Sequence, residues 1–249
     1  MPIQQFRADL HVHTVLSPCA EVEMIPPLIV ESALDLGINL IAITDHNSTA
    51  NIRAVQKAAE HSSLTVLPGM ELQTKEDVHS LCLFDTLQQA EELQQIVNHK
   101  LPRIKNNADL FGAQFIVDEN GEYLGSEDQL LITSSSLSLN EALAIVTSLG
   151  GLFIPAHINR KTFGLIESLG FLPPDLPVLT VEISRHMTPQ QARIEIPSVS
   201  RSPIIQNGDV HRLNEFLGSL ILEIEKPTIA EISLALQSKS GRSYKISPS

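Results

Sequence analysis

At 249 residues, 43% of them hydrophobic, the chain has the material for one large buried core, and a single α/β barrel fits that length. Its 17 basic against 29 acidic side chains leave a net charge of −12, which excludes a protein that coats nucleic acid through counterion release alone; cations bound at one site would still attract a phosphate there. Two cysteines make no disulfide framework, and apolar runs such as 38–44 and 149–156 are too short to cross a bilayer, so no membrane partner is expected.

The chain begins with polar residues and shows no charged start ahead of an apolar run, so a soluble cytoplasmic protein is expected. A first predicted strand, 6–12, leads into Asp9-Leu10-His11-Val12-His13-Thr14, and because alternate side chains of a strand share a face, His11 and His13 aim the same way. Cys19 follows in a loop. Pro26-Pro27 at the start and Gly37 at the stop mark a helix. Predicted strands at 40–44, 65–72 and 79–84 carry Thr44-Asp45-His46, Gly69-Met70-Glu71 and His79, and Cys82 in the third reads as a buried small hydrophobe. Leu87, Ala90, Leu93 and Val97 stand at helical spacing, and Glu119-Asn120-Gly121-Glu122 signals a hairpin. Residues 86–133 are therefore expected to form an insertion within a single domain spanning 1–249, either a flap beside the site or a surface excursion. Beyond it come a helix capped by Ser138 and Glu141 and a strand at 151–156 ahead of His157. A strand at 178–183 follows, then a helix capped by Thr188 and Gln191. A strand at 204–207 precedes Gly208-Asp209-Val210-His211, and Thr228 with Glu231 caps a last helix. This alternation predicts a parallel sheet covered by helices.

Of nine histidines, six stand at predicted strand ends: His11, His13, His46, His79, His157 and His211. Any one of them taken singly is better explained as a hydrogen-bonded core residue. All six, with Glu71 and Asp209 at one end of a sheet, make a buried set of imidazoles and carboxylates that has no good reason to exist without cations. Barrels of this kind carry their functional loops at the carboxyl ends of strands. His61 and His99 end predicted helices, and His186 falls outside the pattern. Arg160 and Arg185 emerge at the same end as candidate bidentate clamps for a phosphate, ahead of Lys161 and Arg212. Asp45 can orient a ligand or accept a proton, or be an ordinary hydrogen-bonded loop carboxylate. No Gly-x-Ser-x-Gly elbow, Walker loop or Gly-x-Gly-x-x-Gly turn supports an acyl-transfer or nucleotide-loop chemistry.

The segments around His11, His46, Glu71 and Asp209 resemble, in order and spacing over about 9–211, the four motifs of the PHP superfamily, named for polymerase and histidinol phosphatase. The resemblance implies a distorted (β/α)7 barrel with two to three divalent ions (zinc, iron or manganese), and hydrolysis of phosphate esters by a metal-activated water with no side-chain nucleophile. It also implies that His11, His13, Glu71 and Asp209 hold one metal, that Glu71 bridges to a second completed by His79 and His157, and that His46 and His211 hold a third. Cys19 departs from the family, which commonly has His or Asp at that third-site position, and a thiolate there would favour zinc or iron over manganese. The substrate expected is a phosphorylated small molecule or a nucleotide. A long nucleic acid ranks below it, because no Trp, two Tyr and eight Phe mostly in core-like runs offer few stacking partners. The competing expectation is a PHP module that binds metal without catalysis and serves as a subunit or sensor; the retained ligands argue against it. An amidohydrolase-type barrel would want a bridging lysine at a strand end, and none stands there.

Overall fold

The computed structural model describes residues 2–247; residue 1 and residues 248–249, at the ends of the expected domain, lie outside the described residues. Three strands, β1 (Gln4–Val12), β2 (Leu40–Ile43) and β3 (Thr65–Gln73), pair in parallel, with α1 (Pro26–Asp35) and α2 (Ile52–Ala59) as the crossovers between them. Pro26 and Pro27 lie in the first turn of α1, where a missing N–H costs nothing and the fixed φ suits a helix. Strand β4 (His79–Leu83) then runs antiparallel to β3. The turn at 74–78 dictates that direction, since a parallel return needs a crossover of a dozen residues or more.

Helix α3 (Leu87–Asn98) begins at a Thr86–Gln89 capping box and buries Ala90, Leu93 and Val97. Taking Leu93 out of water contributes roughly 1.5–3 kcal/mol. After α4 (Ala108–Phe111), β5 (Phe115–Val117) and β6 (Tyr123–Ser126) form the expected hairpin, tied to the loop behind β2 by bonds from Asn51 Nδ2 to the Phe115 carbonyl and from the Val117 N–H to Asn51 Oδ1. Asn47 Nδ2 holds the carbonyls of Leu131 and Thr133 in the same way. Helix α5 (Leu139–Ser148) starts at the Ser138–Glu141 box and leads to β7 (Leu152–Pro155), antiparallel to β4. The short helix α6 (Leu165–Leu169) precedes β8 (Val181–Ile183), and α7 (Pro189–Glu195), with its Thr188–Gln191 box, precedes β9 (Ile204–Gln206), parallel to β8. The chain ends in β10 (Leu220–Ile224), α8 (Ile229–Leu236) and β11 (Ser243–Ile246), and β10 is antiparallel to both β1 and β11. Thr228 caps α8, but the Glu231 carboxylate leaves the cap for Arg242 and the Glu225 N–H, so the expected box is one-sided.

The sheet is thus mixed where the alternation predicted parallel pairing: among the strand ladders of the described residues, only β1–β2–β3 and β8–β9 are parallel. Its curl is nevertheless a distorted seven-stranded barrel. Ile158 N–H donates to the Glu182 carbonyl, joining β7 to β8, and the Val12–Val210 bridge, with His13 N–H on the Val210 carbonyl, joins β9 to the end of β1. Strand β1 serves both edges by pairing β10 with its first half and β9 with its last residues. Because β4 is antiparallel, its first residue, His79, reaches the same end of the barrel as the last residues of β1, β2 and β7. Among the described residues no helix is long and apolar enough to cross a membrane.

Candidate metal centre

At that end of the barrel the fully buried rings of His11 and His13 turn their Nε2 atoms toward each other, 3.2 Å apart. Their other nitrogens are committed outward. His11 Nδ1 donates to Glu182 Oε2 at 3.1 Å, and His13 Nδ1 donates at 2.9 Å to Ser17 Oγ, whose hydroxyl in turn donates to Asp45 Oδ1 at 2.7 Å. With both Nδ1 protons used this way, each ring in its neutral form directs its Nε2 lone pair into the cluster. Glu71 Oε1 and Asp209 Oδ1 stand 3.2 and 3.3 Å from His11 Nε2, and Glu71 Oε2 stands 3.3 Å from His13 Nε2. Ligands held about 2.0–2.2 Å from one cation at tetrahedral to right angles lie about 2.8–3.6 Å apart, the spacing these atoms have.

Glu71 is the hub. Its Oε1 meets His79 Nδ1 at 2.9 Å and His157 Nε2 at 3.0 Å, and its Oε2 lies 2.9 Å from His46 Nδ1. Yet Glu71 Oε2 and Asp209 Oδ1 are buried with no hydrogen bond, and so is His157 Nδ1. An orphaned buried carboxylate oxygen costs about 1–3 kcal/mol or more, a cost that a bound cation removes. Among the described residues four overlapping trios have donor atoms close enough to share an ion: His11, His13 and Asp209; His11, Glu71 and His157; His46, Glu71 and His79; His13, His46 and His211. The donor set therefore fits several neighbouring divalent cations. Cys19 Sγ comes within 3.2 Å of His46 Nε2 from an exposed position and falls in none of the trios.

The electrostatics divide the imidazoles. Burial works against the charged form of His46, but the Glu71 carboxylate and the Cys19 thiol outweigh it and raise the ring to about 9. Burial dominates at His79, which falls to about 4 despite Glu71, and at His211, lowered with help from His13. Burial would also raise the Glu71 carboxyl, but the rings of His79, His11 and His46 hold it well below the usual range.

Backbone geometry at the site is costly. His157, Asp209, Asn47 and Phe163 all have positive φ, each worth roughly 1–3 kcal/mol, and surrounding bonds hold them there. Gly208 is required beside Asp209, since a Cβ would lie within 3 Å of the Glu215 carbonyl, Val210 and the Asp9 carboxylate. Asp9 itself accepts the N–H groups of Gly208 and Leu217, both at 2.9 Å, and anchors that loop to β1.

The cluster floors a cavity of about 590 Å³ with Cys19, Ile132, Arg160, Phe163, Arg185, His186 and Arg212 on its walls. Arg160 donates to Asp209 Oδ2, and Arg185 to the carbonyls of Gly208 and Asp209. Arg212 pairs with Glu21 at 2.8 Å. Lys161 is exposed and outside the lining. Asp45 is buried and also outside it; its carboxylate oxygens are taken by the Thr14 N–H, the Thr14 hydroxyl and Ser17, so its carboxylate acts on the cluster through Ser17, whose Oγ meets His13 Nδ1 and the His46 N–H, and its carbonyl accepts the Glu71 N–H. His61 is exposed and His99 caps α3, whereas His186, set aside on sequence grounds, stands on the cavity wall. Sequence reasoning also passed over Glu182, which accepts from His11, the His157 N–H and Asn207 Nδ2. The available signal was a carboxylate inside the apolar run Leu179-Thr180-Val181-Glu182-Ile183.

Known proteins resemble this chain in sequence and in fold. The family model of the PHP domain matches residues 9–147. Over 75 residues the chain is 33% identical to the 5′-3′ exoribonuclease Rnm of Salmonella typhimurium, which is 29% of this chain and 25% of that protein. The lesion-specific endonuclease PfuEndoQ of Pyrococcus furiosus superimposes with a TM-score of 0.72 at 21% identity, over 97% of this chain and 58% of that one. A candidate metal-dependent phosphoesterase of Bifidobacterium adolescentis superimposes with a TM-score of 0.58 at 20% identity, over 89% of each chain. The two structural likenesses establish the fold, and this chain spans only part of the two nucleases.

Proposed function

The chain belongs to the PHP domain family, and with it to the metal-dependent hydrolases; on that premise we propose that it hydrolyses phosphate ester bonds in nucleic acids at the cluster around Glu71. The observation that carries this reading is the approach of His11 Nε2 and His13 Nε2 to 3.2 Å beside two orphaned carboxylate oxygens, a set of metal-donor atoms turned toward one point. His11, His13, Glu71, His79, His157 and Asp209 hold two divalent ions, and His46 and His211, with Cys19 at the rim, hold a third; zinc, iron and manganese are the candidates. Such ions, when bound, polarise phosphoryl oxygens and acidify water. Glu182 and Ser17 fix the tautomers of His11 and His13, and Asp45 positions Ser17. Arg160 and Arg185 exchange their present carboxylate and carbonyl partners for phosphate oxygens, which aligns the ester over the cluster. Residues 86–133, with Ile132 on the cavity wall, act as a flap over one side of it.

The ranking of substrates reverses the expectation from composition, which put a long nucleic acid below a compact ester. An exoribonuclease and a lesion-specific endonuclease stand among the proteins similar to this chain, and that favours a nucleic acid. The scarcity of aromatics was a weak argument, because it counted rings over the whole chain and ignored where they stand.

Elemental analysis of the purified protein, paired with hydrolysis of single-stranded RNA, single-stranded DNA, an abasic duplex, mononucleotides and sugar phosphates under each metal, tests the reading. Metal-dependent cleavage of a nucleic acid, lost to chelator and restored by metal, is the expected result. Full loading with no hydrolysis of any ester would leave a metal-binding module, and cleavage of sugar phosphates alone would restore the composition-based ranking.

A further inference from the structure

Phe163 is a bulky residue held at φ +59, a backbone region that such side chains rarely occupy. The turn that holds it closes tightly: a Cβ on Gly164 would stand 2.2 Å from the Arg160 carbonyl, and the Phe163 carbonyl accepts the His79 N–H at 3.0 Å. The ring lies flat on the His79 imidazole, with centroids 4.4 Å apart and planes 5° apart. The residue is 36% exposed and stands on the lining of the cavity. One face of the ring is therefore covered by a histidine of the cluster, and the residue stays part-exposed where it lines the cavity. Three residues earlier in the same turn, Arg160 extends its guanidinium to Asp209. A cationic group over the cluster and a flat apolar ring beside it, three residues apart on one rigid turn, match a phosphate joined to a planar heterocycle.

We propose that Phe163 is a stacking platform for a nucleobase of the substrate, so that the turn at 159–164 grips a base while the neighbouring cluster takes the adjoining phosphate. This deepens the phosphate-ester reading above and rests on it. A base on the face away from His79 stacks offset, about 4.5–7 Å between ring centroids, and extends the Phe163–His79 pair to a three-ring pile. Such stacking tolerates any base, so the platform selects for the presence of a base and not for its identity. Gln73 and Ser184 line the same cavity with polar groups that can meet a base edge.

The simpler role for the ring is to buttress His79, and the test separates the two. Metal-loaded protein is titrated with the hydrolysis-resistant 5′-methylenephosphonate of 2-aminopurine riboside, whose fluorescence is quenched on stacking, and bound probe is then competed with adenosine monophosphate or ribose 5-phosphate. Wild-type protein is expected to quench the probe and to prefer adenosine monophosphate by about 5- to 150-fold. F163L is expected to lose the quenching and most of that preference, while F163Y, which retains a ring, keeps both. Equal affinity of wild type for the two competitors overturns the proposal without recourse to any variant. So does an F163L protein with an unchanged preference but reduced metal content, which assigns the ring to His79 alone. Failure of the parent reading looks different: no ester is hydrolysed, yet the probe still binds in a manner that depends on the ring.

Discussion

Replacing Glu182 with Gln asks whether the cluster depends on a proton held in place on His11. Three groups converge on this carboxylate, and all are donors: His11 Nδ1 at 3.1 Å, the His157 N–H at 2.9 Å and Asn207 Nδ2 at 2.7 Å. An amide has one acceptor oxygen, so in either orientation its NH2 faces at least one of these donors. If the NH2 meets Asn207, a buried donor pair is left unsatisfied, at about 1–3 kcal/mol. If it meets His11, the ring must accept at Nδ1, and its proton moves to Nε2, where it blocks the atom that faces His13. Both outcomes weaken the site, and loss of an outer partner of a metal-bound histidine typically costs about 10- to 100-fold in metal affinity or activity. The fold itself should lose roughly 2–12 °C in Tm, from about 2–4 °C per kcal/mol for a chain of this size. Competition with a fluorescent chelator measures the affinity, and differential scanning calorimetry of the stripped protein measures the rest. Metal affinity within twofold of wild type would refute the argument that Glu182 sets the His11 tautomer.

Asp209→Asn should retain the backbone, because Asn accepts the left-handed conformation at this position, and should lower hydrolysis by several kcal/mol in barrier; a near-normal rate would remove Asp209 from the metal site. Stripped and metal-loaded protein should diverge with pH. His46 is raised to about 9, so the stability it contributes in the stripped protein is complete below about 6.5 and is lost as pH rises through about 9. Metal binding gains over the same window as protons leave the imidazoles, so the gap in Tm between loaded and stripped protein should widen from pH about 6.5 to about 9.5, and a constant gap would contradict the arrangement. Iodoacetamide should label exposed Cys19 in the folded protein and leave Cys82, whose thiol burial pushes far up, untouched until unfolding; mass spectrometry of the digests distinguishes them.

What the sequence made legible is what is encoded locally. A polar residue directly after an apolar run declares itself, and His11, His13, His46, His157 and Asp209 were found that way, as were the capping boxes at Ser138 and Thr188. Strand direction is not local in that sense. The 74–78 connection was short enough to exclude a parallel return, but the period of the strands was read in preference to the length of the link between them. The partners around the ligands were harder still, since Glu182 meets His11 across 171 residues of sequence and only once the barrel closes. Phe163 was hidden for a different reason. Positions with positive φ usually announce themselves by Gly, Asn or Asp, as at Asp209 and Asn47, and a phenylalanine gives no such sign.

That last case bears on how the site chooses its substrate. Composition suggested a chain poor in stacking partners, with no Trp and two Tyr. A single ring is enough where it counts, because recognition of one base next to one phosphate needs one platform, whereas a strand bound without cleavage needs several in succession. With a net charge of −12 the surface at large repels a polyanion, so on the proposed function affinity for a nucleic acid would come from the cavity itself: from cations at Glu71, from Arg160 and Arg185 on its wall, and from the ring of Phe163. A nucleic acid held in that way is bound at a point and not along its length. The dependence of its affinity on salt should then be shallow, with a slope set by the one or two phosphates in the cavity, and a slope typical of six or more phosphate contacts would place the main binding surface elsewhere on the molecule.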